Sequence, residues 1–318
     1  MIRNKILTFP AMLLFALMAV SCSYDDDLMP EAETVSTTFR LGLDPQSRAA
    51  QNLNLQNYDA KIYLYEGKKN DDGTMSYSPV KEMILTDNSV TIEDLTVKNQ
   101  YKAVFLAIPK GQTPGLPNYT LSGINPTYDE ASVPYINEGM NMTDNNIFRS
   151  VVSFTASTNA SVQSTILTRQ NGAVEVRIVN TPGIKSASLH VDGYTEMLLN
   201  DGTGGQVIAT GKIQALSKDK EDGFEASDVR IRINLLPVED ITDADGSKNY
   251  LELTMTDGSA RKYPLKSDQS QIPIYPNQVT WLTIGNGYGN FDVSFSGNIN
   301  VDDNEWDGWK VVVNNEAL

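Results

Sequence analysis

Apolar side chains at every second position constrain this chain more than any other feature. Val35, Thr37, Phe39, Leu41 and Leu43 fall on one side of an extended backbone, and Ser36, Thr38, Arg40 and Gly42 fall on the other. The same period returns in Tyr58, Ala60, Ile62 and Leu64, in Val229, Ile231, Ile233 and Leu235, and in Leu251, Leu253 and Met255. Val174, Val176 and Ile178 repeat it with Glu175 and Arg177 turned outward. Residues 101–108 are apolar on both faces apart from Lys102, the pattern of a central strand covered on both sides. Helix-period patterns are scarce beyond the N-terminal segment, so strand follows strand without a crossover helix. An all-β sandwich architecture is the expectation.

A chain of 318 residues has room for two domains of ordinary size, each with its own core. The division falls near 166–172, giving an N-terminal sandwich over 34–168 and a C-terminal one over 169–318. Residues 109–146 are rich in Pro, Gly, Asn and Tyr and read as one elaborated surface loop, longer than compact domains usually carry without a function. A second Gly/Asp-rich stretch, 200–205, reads as a turn. The three Asn-X-Ser/Thr triplets at Asn118, Asn141 and Asn159 read as chance matches.

The first residues settle the compartment. Arg3 and Lys5 form a basic start, and the apolar run 6–20 is too short for a membrane span of about 20 residues, so 1–21 reads as a signal peptide. It ends in Ala19, Val20 and Ser21 before Cys22, the only cysteine. The arrangement resembles a lipobox, in which the cysteine is lipidated and becomes the mature N-terminus; Ala19 stands where Leu is usual. Residues 22–33 form an acidic tether in which Asp25, Asp26 and Asp27 look like a surface-export signal of Bacteroidota lipoproteins. Such a charged tether stays hydrated and extended. Loss of Arg3 and Lys5 takes the formal charge from -15 to -17. A chain so acidic repels a nucleic-acid backbone. With one cysteine there is no intrachain disulfide, and the cores alone must hold the fold.

Residues that carry chemistry are few. His190 is the only histidine and sits inside a strand pattern, where a structural role outweighs a catalytic one; no Cys/His pair or multi-histidine zinc site can be assembled. Asp243, Asp245, Gly246 and Glu252 have the spacing of part of an EF-hand loop, but Ile241 occupies its first position and no helices flank it, so a polar turn is expected. Asp302, Asp303, Asn304 and Glu305 form a second acidic run with a weak calcium pattern. No metal, no cofactor and no catalytic residue are assigned, and the chain does not read as an enzyme.

Three stretches together resemble the fimbrillin family of Bacteroidota, the FimA-like pilins. The first joins VSTTFRLGL at 35–43, DPQSRA at 44–49 and DAKIYLY at 59–65; the second is ILTRQNGAVEVRI at 166–178; the third is IYPNQVTWLTI at 274–284 followed by NEW at 304–306. The resemblance implies two transthyretin-like (Greek-key) β-sandwich domains in tandem and export as a lipoprotein to the outer membrane. It also implies cleavage after an arginine, here Arg48, and polymerisation with other fimbrial subunits by donor-strand exchange. In that scheme the leader strand of Val35, Phe39, Leu41 and Leu43 vacates a groove that a strand of the next subunit fills. Residues 309–314, with Trp309, Val311 and Val313, are the candidate donor; they read equally well as the last strand of their own sandwich. Arg40 is the rival cleavage site but lies within a strand. The competing function is a surface lipoprotein that captures glycans, for which Trp281, Trp306 and Trp309 are candidate platforms, although Trp281 reads as core.

Overall fold

The alternation is realised as strands throughout. The structure, a computed structural model, describes residues 32–43, 57–110, 126–135, 146–159, 161–179, 183–200, 210–216, 228–266, 271–285 and 292–296, and no α-helix occurs among them. In the first half the strands are β1 (Thr34–Leu43), β2 (Tyr58–Lys69), β3 (Met75–Leu85), β4 (Ser89–Thr96), β5 (Gln100–Pro109), β6 (Ser132–Pro134), β7 (Phe148–Thr155) and β8 (Ser161–Arg169). In the second half they are β9 (Gly172–Val179), β10 (Ile184–Tyr194), β11 (Glu196–Leu198), β12 (Thr210–Leu216), β13 (Asp228–Leu235), β14 (Tyr250–Met255), β15 (Ala260–Pro264), β16 (Val279–Gly285) and β17 (Asp292–Ser296).

Seven strands form one sheet in the order β3-β2-β5-β7-β8-β1-β4. Only two residue pairs, Phe148 with Arg169 and Arg149 with Thr168, join β7 to β8. At this short junction the sheet turns, so that β8, β1 and β4 lie over β2, β5 and β7. The apolar cluster between the two layers includes Phe39 and Leu41 of β1, Ile62 of β2, Phe105 of β5 and Leu167 of β8. As the sequence pattern requires, β5 is buried on both faces: Ala103, Phe105 and Ala107 enter this cluster, whereas Val104, Leu106 and Ile108 enter a second one.

That second cluster is the main core. It also takes Val174, Val176 and Ile178 from β9, Leu189 and Val191 from β10, Ile231 and Ile233 from β13 and Leu282 and Ile284 from β16. These strands belong to two four-stranded sheets, β12-β10-β14-β15 and β13-β9-β16-β17. Side chains from both halves of the sequence therefore share one core, and Thr34–Leu318 forms one compact unit.

The stretch read as a surface loop over 109–146 departs from that expectation in its middle. Tyr128, Ala131, Val133 and Tyr135 are fully buried, and β6 pairs with β11, Met197 facing Val133. These four large or apolar side chains have somewhere to go because the main core lies directly beneath them. Arg149 fastens the same region, its Nη1 donating to the carbonyls of Leu198 at 2.8 Å and Asn200 at 2.6 Å. Where the chain passes from β8 to β9, Asn171 is fully buried and accepts from the Ile147 N–H at 3.1 Å, while its carbonyl accepts from the Asn277 N–H. Glycine is needed at 172, because a Cβ there would lie 2.2 Å from the Tyr275 carbonyl oxygen.

Candidate functional site

The strand that opens the fold lies inside a sheet. β1 runs antiparallel to β4, from Thr34 opposite Thr96 to Arg40 opposite Ser89, and parallel to β8, from Thr37 opposite Ser161 to Leu43 opposite Leu167. Among the described residues β4 has no other strand partner, and β8 otherwise meets β7 only at the two-pair junction. The Leu41 N–H adds a bond of 2.8 Å to the Asn88 carbonyl just before β4. Withdrawing β1 would thus leave a slot with unpaired backbone on both lips, a template for another strand.

The floor of the slot is apolar. Phe39 is fully buried with its ring centroid 5.2 Å from that of Phe105 and 5.3 Å from that of Phe154, and the Phe154 contact is edge-to-face. Leu41 is buried, Thr37 is buried beside it, and Val35 is half-buried against the same cluster. Leu43 pairs through its backbone with Leu167; its side chain lies outside the described ones. Burying Phe39 and Leu41 stabilises by about 3–6 kcal/mol in total, a large share of the 5–15 kcal/mol typical of a whole domain. The opposite face of β1 is polar: Ser36 and Arg40 are exposed, and the hydroxyls of Thr38 and Thr91 lie 2.9 Å apart.

The backbone of Arg40 is enclosed between Ser89 and Ser164 even though its side chain is exposed, so a protease would have to lift the strand out to reach it. Arg48 lies beyond the end of β1. It falls outside the described residues, as do Cys22, Asp25, Asp26, Asp27, Trp306, Trp309, Val311 and Val313. The two lips were the part that strand patterns did not assign. Val90, Ile92 and Leu95 of β4 carry the apolar signal, but an irregular register weakens it: Val35 faces Leu95 while Thr37 faces Ile92, and Asp94 at φ 63 sits in the intervening bulge.

The other chemically suggestive residues occupy structural positions. Asp243 does not build a calcium loop: its Oδ2 accepts from the N–H groups of Lys248 at 2.6 Å and Asn249 at 2.9 Å, and Glu252 lies in β14 opposite Lys262. Burial pushes the Asp243 carboxyl up, but those backbone donors override it and hold the group at about 2. His190 stacks on Tyr250 with centroids 4.4 Å apart, and the Lys262 ammonium lies 3.7 Å from the centroid of the Tyr250 ring. The Ser188 hydroxyl lies 2.7 Å from His190 Nε2. Trp281 is not part of the main core; it is half-buried against Ala173 and Val279 on the far face of its sheet. No group of three or more His, Cys, Asp or Glu suited to a metal ion occurs among the described residues.

No protein-family model matches the sequence, and no curated protein matches it either. Solved structures do match. A candidate polysaccharide-binding protein of Bacteroides thetaiotaomicron superposes with a TM-score of 0.50 at 10% identity, over 84% of this chain and 99% of that one. The tip fimbrial protein Mfa3 of Porphyromonas gingivalis gives 0.42 at 11% identity, over 83% and 99% of the two chains. The fimbrial anchor protein Mfa2 of the same organism gives 0.46 at 12% identity, over 82% and 97%. The chain shares its fold with the first of these.

Proposed function

We propose that this chain is a structural or adhesive subunit of a cell-surface fimbria, lipidated at Cys22, trimmed after Arg48 and assembled by strand exchange. The observation that carries the reading is the position of β1: the first strand of the fold bridges β4 and β8 and covers an apolar slot. A cut at Arg48 would leave β1 held by non-covalent contacts alone, and its departure would open the slot to a strand of another subunit. The C-terminal residues 309–314 are the proposed donor. Asp25, Asp26 and Asp27 are the proposed surface-export signal, the outer membrane is the proposed anchoring site, and no catalytic role is assigned. The tandem-sandwich division at 168/169 belongs to the same proposal.

Digestion of the purified protein with an Arg-specific protease tests this directly. Cleavage yielding a chain that begins at Ala49 and then grows into polymers, as seen by N-terminal sequencing and light scattering, is the expected result. Cutting at Arg40 with Arg48 intact would end the maturation scheme. Glycan capture is the competing reading and needs open aromatic faces. Tyr250 is covered by His190 and Lys262, and Trp281 is half-buried, which leaves Tyr275, 48% exposed, as the accessible ring among the described residues.

A further inference from the structure

The outer face of β1 fits its surroundings less well than the inner one. Along it the parallel register sets Thr38 beside Val162, Arg40 beside Ser164 and Gly42 beside Ile166. Val162 is 59% exposed and Ile166 52%, both on the outer face of β8. Single exposed apolar side chains are ordinary on a protein surface. What sets these two apart is their neighbours: β1 places only a threonine beside one and a glycine beside the other.

Gly42 has no conformational reason to be glycine. Its φ is not positive, and a Cβ built on it would meet only the Thr165 carbonyl oxygen, at 4.0 Å. A side chain therefore fits there, turned outward alongside Ile166. Within a strand glycine is a cost, because it gives up more conformational freedom than other residues and offers nothing for its neighbours to pack on. Pairing with β4 ends at Arg40 opposite Ser89, with the Leu41 N–H bond to Asn88 just beyond it, so among the described strands Gly42 pairs with β8 alone. At the other position, the Thr38 hydroxyl lies 2.9 Å from that of Thr91 at the surface, a contact that water replaces at little cost.

We infer that β1 is an under-fitted occupant of its slot, and that the strand displacing it carries branched apolar side chains at the positions of Thr38 and Gly42, where they cover Val162 and Ile166. The inference rests on the strand-exchange reading and adds to it the chemistry of the partner. That partner strand is apolar on its inner face, as β1 is, and apolar at these two outer positions as well. With large apolar side chains in the seats of Phe39 and Leu41, it keeps what β1 buries and adds the cover over β8. Exchange then runs toward the partner and not back.

The intact full-length chain gives the first test. Gly42→Val should raise its urea midpoint. A valine also gains from strand preference alone, so the substitution is repeated in an Ile166→Ser background, where the gain should fall to about half or less. The second test reads partner choice. A site for a sequence-specific protease placed within 44–56 of the full-length chain cuts β1 free without relying on Arg48. The nicked protein is then offered fluorescent ten-residue peptides of the β1 sequence, unaltered or carrying Thr38→Val and Gly42→Val. Fluorescence anisotropy should show the substituted peptide held about tenfold more tightly. Three results would overturn the inference while leaving strand exchange standing: equal or weaker binding of the substituted peptide, a Gly42→Val chain no more stable than its parent, or a gain that does not need Ile166. Entry of neither peptide, with β1 still bound in gel filtration, would sink the exchange reading itself and the inference with it.

Discussion

β1 and β9 do the same job in different surroundings. Each has a parallel neighbour on one side and an antiparallel neighbour on the other: β8 and β4 for β1, β16 and β13 for β9. Their burial differs. β9 is buried on both faces, with Val174, Val176 and Ile178 in the main core and Ala173 and Glu175 covered on the far side. β1 buries Thr37, Phe39 and Leu41 on one face and exposes Ser36 and Arg40 on the other. A bridging position alone therefore does not make a strand replaceable. Replacement also requires a face that is already solvated, so that another strand can enter without a second layer being dismantled, and an end that one cut can free.

The comparison breaks most visibly at β9. Val176→Asp would place a carboxylate in the fully buried core without a partner, a cost of several kcal/mol that rivals the total stability. The expected outcome is no folded soluble protein by circular dichroism and gel filtration; a variant that folds normally would mean that β9 is not the fixed element described. In β1, Phe39→Ala should destabilise by about 3–5 kcal/mol in denaturant titration, through lost burial and the cavity left beside Phe105 and Phe154. Thr38→Ala, on the solvated face, should cost about 1 kcal/mol or less. Equal losses at 38 and 39 would remove the one-sided burial on which the exchange argument stands.

Much of this could be read from alternation. The strand at 34–43 and the apolar faces of β9, β13 and β14 follow from period two, and the doubly buried strand at 100–109 from an apolar run over 101–108 broken only by Lys102. Pairing over long distances could not be read. Nothing local in β4 or β8 tells which strand lies between them, because the partners are far apart in sequence and the β4 side is broken by a bulge at Asp94. The burial of Tyr128, Ala131, Val133 and Tyr135 was hidden by the turn-rich residues around them and by the shortness of β6, which is a strand only because β11 meets it. Glu175 alternates outward as its pattern says, yet outward is not solvent on a face that is itself covered. Cys22, Asp25, Asp26, Asp27 and Arg48 rest on sequence alone.

A smaller effect probes the passage between β8 and β9. Asn171→Ala removes the acceptor for the buried Ile147 N–H, so a loss of about 1–3 kcal/mol is expected in thermal or denaturant unfolding. If the passage merely tethers two independent halves, the unfolding curve should keep its midpoint. A single transition displaced as a whole is the result that a shared core requires.

Another small expected effect concerns Asp243, on the turn before β14. Its carboxyl lies at about 2 in the folded chain, below its ordinary value of 3.8, because the N–H groups of Lys248 and Asn249 favour the charged form more than burial disfavours it. A depressed acid stabilises the fold above its unfolded value, and that contribution is lost as pH falls from about 4 through about 2. Asp243→Asn keeps an oxygen acceptor but removes the titration. Its stability should therefore fall less steeply than that of the parent between pH 4 and pH 2, while at pH 6 it should be lower by about 1 kcal/mol. Other lowered carboxylates, Asp72, Asp240 and Asp257, supply an acid dependence common to both proteins, so the measurement is the difference between the two curves. Parallel curves would show that the turn is held by its backbone alone. A difference confined to this window, with the proposed cleavage after Arg48 unaltered, would separate the local fastening of the turn before β14 from the strand exchange proposed at β1.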